Sequence, residues 1–304
     1  MNRRQFLEGA RIGLGLGFSA SVLLWTQGYA QRAIPKRVVI AGGALTEIAV
    51  ALGAGKNLVG VDTTSLYPPT VVDPLPKIGY LRTLGAEGIL SLNPTLLLVS
   101  DQAGPPGILD QLRSLKVPMA VVPETFSVDN VRAKIIAVAT ALSINGKSML
   151  DAVTADLTAV RSVINPIKDR PKVMFILSAA GGRLMVAGTH TAAASMIAFA
   201  GGRNAIEEYE GYKPLSNESA VASEPDFILM SGQTVESAGA IDTIKSLPAI
   251  ASLSAAKAGR IAIMDTLYLL GFGPRIAHAA LDLAKCIHPK IIPPFLPNRP
   301  WMHA

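Results

Sequence analysis

The chain has 304 residues, 50% of them hydrophobic, 16% charged and 5% aromatic, with a formal net charge of +6. That length fits roughly two domains. Low charge, with Gly and Pro in no fixed period, excludes a disordered or collagen-like chain. The cations are dispersed singly with no aromatic-interleaved stripe, which argues against a nucleic-acid partner despite a pI near 9.5.

The first residues, Met1-Asn2-Arg3-Arg4-Gln5-Phe6-Leu7, form a short basic segment. An apolar run over 12–25 follows, then Gly28-Tyr29-Ala30, a small-x-Ala cleavage pattern. The run is shorter than the ~20 residues that a bilayer span needs. Residues 1–30 therefore read as an export signal. Arg3-Arg4-x-Phe6-Leu7 matches the core of a twin-arginine signal, with the general secretory route as the alternative. Cys286 is the single cysteine, far from the cleavage pattern, so neither an intrachain disulfide nor a lipid-bearing cysteine is expected. The expectation is a monomeric periplasmic protein with no membrane insertion of the mature chain. Cys286 lies among Leu283, Ala284 and Ile287 and is expected to be a buried structural thiol.

From Lys36 onward, short β-rich runs alternate with helical stretches. Residues 37–40, 58–61, 95–99 and 119–122 read as strands, and 45–52 and 108–115 as helices. Unbroken apolar strands separated by helices indicate a mostly parallel sheet covered on both faces. After Pro171 the pattern restarts, with strands at 172–177, 227–230 and 261–264 and a helix near 192–200. Between the halves, Met149, Val153, Leu157, Val160 and Ile164 form one apolar stripe on a helix over 145–164. At about 1.5 Å per residue that helix spans a small lobe and makes a stiff connector.

The two halves also resemble each other. Glu87 to Ser100 aligns without a gap on Glu218 to Ser231, each a short helix, a Pro-marked turn and a buried strand. The fold class expected is α/β: two Rossmann-like lobes with mostly parallel sheets, joined by a single long helix, with a ligand cleft between them. The domains read as export signal 1–30, N-terminal lobe 31–143, linker helix 144–168, C-terminal lobe 169–288 and Pro-rich tail 289–304. The tail is expected to be extended, either packed on a lobe or loose.

Ligands of such sheets collect outside the carboxyl ends of the strands. The mature chain has no Gly-x-Ser-x-Gly elbow, no His-Glu-x-x-His and no phosphate-binding loop. Its histidines, His190, His278, His288 and His303, have no metal-ligand spacing. A binding protein is expected rather than an enzyme. An exported cofactor-dependent enzyme remains the other class, since twin-arginine export carries folded cargo.

Several segments carry a more specific resemblance. Leu45-Thr46-Glu47-Ile48, Ala51-Leu52-Gly53-Ala54-Gly55 and Leu58-Val59-Gly60-Val61-Asp62 resemble the opening of helix-linked substrate-binding proteins of bacterial ABC importers. These importers serve cobalamin, ferric siderophores and haem. Thr63 to Pro69, Lys77 to Arg82, Glu210 to Ser216 and Leu270 to Arg275 are most similar to the haem-binding branch. The resemblance implies capture of haem, as transported ligand, and its delivery to a permease and its ATPase. A ferric siderophore or cobalamin is the alternative cargo.

The resemblance places the haem-ligating tyrosine of the family at Tyr67. Phenolate is a hard anionic oxygen suited to ferric iron, although a free phenol titrates near 10 and needs iron or a cation to ionise. Arg82 is a candidate to pair with a haem propionate or to support the phenolate, against a solvated loop arginine. Arg183 and Arg275 are analogous candidates from the second lobe. Relatives carry an arginine after the second-lobe strand where this chain has Ser231-Gly232-Gln233. His190 is a candidate sixth ligand or ligand of a second haem, against a loop or cap residue. Met185 and Tyr268 fit either a porphyrin wall or core packing. Glu87 and Glu218 each open the repeated helix of their lobe. The resemblance implies that they dock onto permease arginines, although a carboxylate in a helix's first turn also complements the helix dipole.

Overall fold

In this computed structural model the structure describes residues 35–303. The export signal read over 1–30 lies outside the described residues. Each apolar run beyond it becomes a strand within a residue or two of its expected bounds: β1 (Val38–Ala41), β2 (Leu58–Val61), β3 (Leu96–Ser100) and β4 (Met119–Val122). They form one all-parallel sheet in the order β2-β1-β3-β4. All residues of β1 and β3 are buried, as unbroken apolar parallel strands require when both faces are covered.

The second half contributes β5 (Lys172–Ser178), β6 (Leu184–Ala187), the two-residue β7 (Arg203–Asn204), β8 (Tyr212–Leu215), β9 (Phe227–Ser231) and β10 (Ile261–Met264). Their order is β10-β9-β5-β6-β8, with β7 beside β5. β10, β9, β5 and β7 are parallel, β6 is antiparallel to β5, and β8 pairs antiparallel with β6 and so runs the same way as β5. The mostly parallel expectation thus describes the first lobe, and the second carries a mixed sheet.

Period-two alternation divides the strands between cores. Val38, Ile40 and Leu98 of the first lobe share one cluster with Phe175 and Leu229 of the second and Val153 and Leu157 of the connecting helix. The opposite faces have separate cores, around Val39, Leu97 and Val99 in one lobe and Met174, Ile176 and Ile228 in the other. The connecting helix, Lys147–Ile164, is about 27 Å long. Its stripe, Met149, Val153, Leu157, Val160 and Ile164, is wholly buried, each residue contributing about 1.5–3 kcal/mol relative to exposure. The tail returns along this helix. Arg299 grips the buried Asp156 at 2.6 and 2.9 Å, and Trp301 is buried in the shared core. Between these anchors and the last helix, Ile292 and Phe295 are exposed.

The duplicated segments adopt the same local structure. Helices Ala86–Ser91 and Asn217–Ala222 lead into β3 and β9. Asn93 and Glu224, at equivalent positions before Pro94 and Pro225, both hold left-handed backbone, with φ of 44° and 43°. Cys286 departs from expectation. On the helix Ile276–Ile287 the buried stripe passes through Leu283, Ala284 and Ile287, which leaves Lys285 and Cys286 on the outer face. Among the described residues, no helix is long and apolar enough to cross a membrane.

Candidate functional site

The carboxyl ends of six parallel strands open on one cavity of about 310 Å³. The first lobe supplies most of it: Gly42 to Leu45 after β1, Thr63, Thr64 and Leu66 after β2, Ser100 and Gln102 after β3, and Glu124 and Phe126 after β4. Tyr80, Leu81 and Arg82 come from the loop before β3. The second lobe adds Gln233 after β9, then Thr266, Leu267, Leu270 and Gly271 after β10. Leu66 and Tyr80, about half exposed, give this slot an apolar mouth. A cavity that mixes leucines and Phe126 with polar side chains such as Arg82, Gln102 and Gln233 suits an organic ligand with polar substituents.

Asp62 organises the mouth. Its buried carboxylate accepts hydrogen bonds from the backbone N–H of Gly42 (2.9 Å), the backbone N–H of Thr64 (2.9 Å) and the Ser65 hydroxyl (2.7 Å). It ties the end of β1 to the loop after β2, the loop that presents Leu66 and Tyr67. Ser65 is held from behind by the Thr46 hydroxyl at 2.8 Å. Gly43 is required by close approach, since a Cβ there would lie 2.5 Å from the Thr64 carbonyl oxygen and 2.7 Å from Leu267 of the other lobe.

Tyr67 is half-buried and follows the lining residue Leu66, but neither it nor Arg275 is among the lining residues. The guanidinium carbon of Arg275, from the other lobe, lies 3.7 Å from its ring centroid and 5.1 Å from that of Tyr268. Tyr268 donates its hydroxyl to Asp282 at 2.9 Å, and burial first, then Asp282, raises its phenol far above the ordinary range. Arg275 is itself buried and donates through Nε to Glu47. Two sequence candidates, Tyr67 and Arg275, are thus brought together across the lobes. Burial pushes the Glu47 carboxyl up to about 7 against the opposing pull of Arg275.

A second buried pair lies nearby. Lys134 donates to both carboxylate oxygens of Glu124 (2.8 and 3.0 Å) and to the carbonyl of Gly271 across the lobes (3.4 Å). Burial lowers the lysine and raises the glutamate from their ordinary values. Phe126 and Phe272 pack across the same seam, with ring centroids 6.2 Å apart.

Arg82 lines the cavity and is exposed. Its charge reaches Tyr212 of the second lobe, partly countering the rise that burial imposes on that phenol. Arg183 and His190 are not among the lining residues. Arg183 is exposed just before β6, and His190, in left-handed backbone (φ 55°), faces Glu210 at 3.2 Å with both side chains largely exposed. Met185 is half-buried within β6, outside the cavity lining. Among the described residues no group of three or more His, Cys, Asp or Glu side chains is placed to hold a metal ion. Glu87 and Glu218 are both exposed in the first turns of the duplicated helices. Each of these helices runs back from the strand before it, so both carboxylates lie toward the cleft end of their lobes. Hydrogen bonds from its own backbone N–H and from Ser216 hold Glu218 below the usual carboxylate range.

Sequence reasoning gave no role to Glu47, Asp62, Glu124 or Lys134. A signal existed for two of them: Glu47 and Lys134 are lone charges on otherwise apolar helix faces, Gly43–Ala51 and Val128–Leu142, where an unpaired charge would be costly.

Residues 38–267 match the family described as "Periplasmic binding protein". Among solved structures, the periplasmic heme-binding protein RhuT from Roseiflexus sp. RS-1, in apo form, is 41% identical with a TM-score of 0.80, over 84% of this chain and 98% of that one. The periplasmic heme-binding protein BhuT, in complex with two hemes, is 39% identical with a TM-score of 0.78, over 83% and 97%. An uncharacterized ABC transporter substrate-binding lipoprotein of Bacillus subtilis (strain 168), YvrC, is 25% identical over 260 residues, covering 84% of this chain and 81% of that protein.

Proposed function

This chain belongs to the periplasmic binding protein family, a family of substrate-binding transport proteins rather than enzymes, and we propose that its cargo is haem, which it delivers to the permease and ATPase of an ABC importer. The observation that carries this reading is Tyr67, a phenol one residue after the cavity-lining Leu66 with a buried guanidinium against its ring. In this reading Tyr67 supplies the axial oxygen to ferric iron. Leu66, Tyr80, Phe126 and Leu270 cover the porphyrin faces, and Arg82 meets a propionate. Arg275 supports the phenolate, which no arginine after β9 can do because Gln233 stands there. Arg183 and His190 are rim residues of the same reading, His190 as a ligand to a second haem.

The protein acts as a monomer in the periplasm, exported through the signal at 1–30 by the twin-arginine route. Its working parts are the N-terminal lobe 31–143, the linker 144–168, the C-terminal lobe 169–288 and the tail 289–304. Glu87 and Glu218, one per lobe, dock onto permease cations. Such exposed pairs set encounter and register more than affinity, so Glu87→Gln with Glu218→Gln slows delivery while leaving hemin affinity unchanged.

Titrating the purified chain with hemin tests the reading. A Soret band with the charge-transfer features of high-spin ferric phenolate is expected, lost in Tyr67→Ala at an unchanged melting temperature. An unaltered spectrum in that variant removes Tyr67 as ligand. Preferential binding of cobalamin or a ferric siderophore in competition replaces haem as the cargo.

A further inference from the structure

Glu47 lies on the first-lobe helix Gly43–Ala51, is only 3% exposed, and has no charged neighbour on its own helix. Its carboxylate reaches across to the second lobe, where it occupies the space a side chain at Gly273 would need and accepts from Arg275 Nε. That bond fixes the plane of the guanidinium. One face lies on Tyr67 at 3.7 Å, and Tyr268, tethered by Asp282, stands 5.1 Å away. Arg275 Nη2 is buried without a hydrogen-bond partner. The guanidinium is therefore spent neither on a surface carboxylate nor on solvent, and it keeps a donor in reserve beside the phenol ring.

Resting on the haem reading above, we propose that Glu47 is a positioning residue for haem ligation. By holding Arg275 of one lobe against Tyr67 of the other, it makes the strength of the iron–phenolate bond depend on how the two lobes are set. Ligation forms one Fe–O bond and sends the phenolic proton to solvent. A cation over the ring favours the anionic ring over the neutral one. The carboxylate and Tyr67 belong to the first lobe and the guanidinium to the second. A partner that shifts one lobe against the other therefore draws Arg275 away from the phenolate and loosens the haem where it is to be released. Neither Glu47 nor Arg275 need touch haem for this coupling to operate.

Two measurements test it, one without ligand. In apo protein labelled with 3-fluorotyrosine, with the Tyr67 resonance assigned through Tyr67→Phe, Glu47→Gln and Arg275→Lys are expected to shift that resonance. In hemin-loaded protein mixed with excess apomyoglobin, Glu47→Gln is expected to speed hemin transfer on the order of tenfold, with the ferric-phenolate band retained. Glu47→Asp restores part of the difference, and the double variant Glu47→Gln/Arg275→Lys is no faster than Arg275→Lys alone. Glu47→Gln keeps the side-chain volume and a hydrogen-bond acceptor, so it preserves the fold. A lowered melting temperature with an unmoved Tyr67 resonance and a parental transfer rate would make Glu47 merely structural and overturn the proposal. If the parent takes up no hemin, the haem reading fails, while the fluorine shift still decides whether Glu47 controls the surroundings of Tyr67.

Discussion

The two lobes are built on the same three parallel strands, β1-β3-β4 in one and β5-β9-β10 in the other, and differ in the strand beside β1 and β5. In the first lobe that neighbour is β2, parallel, so its carboxyl end opens on the cleft and feeds Thr63, Thr64 and Leu66 into it. In the second lobe the parallel neighbour of β5, β7, stops after two residues, and β6 fills the rest of that edge antiparallel, where the chain turns back at the cleft edge instead of emerging there. A parallel strand spends its carboxyl end on the ligand, while an antiparallel one spends it elsewhere. Both lobes carry the repeated short helix, with a glutamate in its first turn, and a core. The direction of one strand separates the lobe that supplies most of the cavity lining from the lobe that supplies less.

The largest expected effect tests the buried Lys134–Glu124 pair of the first lobe. Lys134→Ala leaves Glu124 without its cation and is expected to cost about 3–5 kcal/mol in urea unfolding of the apo chain. In the second lobe, Lys245→Ala breaks an exposed pair with Asp242 (3.7 Å) and is expected to cost no more than about 0.5 kcal/mol. Next, Tyr67→Ala is expected to lower hemin affinity by about a hundredfold, measured by titration. Equal loss from an alanine at His190 would erase the asymmetry between lobes. Smaller still, Arg82→Ala is expected to weaken hemin binding about tenfold, as loss of a charge-assisted contact does. Arg183→Ala, outside the cavity lining, should stay within about twofold.

A pH dependence tests the carboxyl that reaches from the first lobe to Arg275 of the second. The folded-state value of Glu47, about 7, lies above its ordinary 4.5. Its contribution to stability is therefore fully present below 4.5 and is lost as pH rises through about 7. Between pH 5 and pH 8 the apo melting temperature of the parent should fall relative to that of Glu47→Gln. Parallel profiles would show that the carboxyl does not titrate in that window. Glu124 is shifted in the same direction and Lys134 downward, so only the difference between the two proteins isolates Glu47.

Much of this architecture was legible before any coordinates. Apolar runs without alternation announced buried parallel strands, and the stripe from Met149 to Ile164 announced the connector with its burial. The antiparallel β6–β8 pair was not legible, because Leu184 to Ala187 is as apolar as a parallel strand and direction leaves no mark on four residues. Tyr67, Arg82 and Arg275 were legible as site candidates through resemblance, and geometry then put Arg82 on the cavity lining, paired Tyr67 with Arg275 outside that lining, and left Arg183 and His190 apart from both. The partner of Arg275 was hidden because Glu47 sits 228 positions away in sequence. Periodicity reports which face a side chain occupies, and long-range pairing across two lobes leaves no local trace. Cys286 illustrates the converse. Three apolar neighbours suggested burial, but helical phase, not neighbourhood, decides it.

The tail has a consequence for how far the molecule can deform. Arg299 is clasped to Asp156 on the connector and Trp301 is sunk in the core common to both lobes, so the rear edge is stitched twice, once by the helix and once by the returning strand of chain. Wide gaping would have to tear the indole from its seat. Motion that spares these stitches is a shallow twist of one half on the other, and a receptor limited to such twisting must surrender its cargo through small misalignments rather than by springing open.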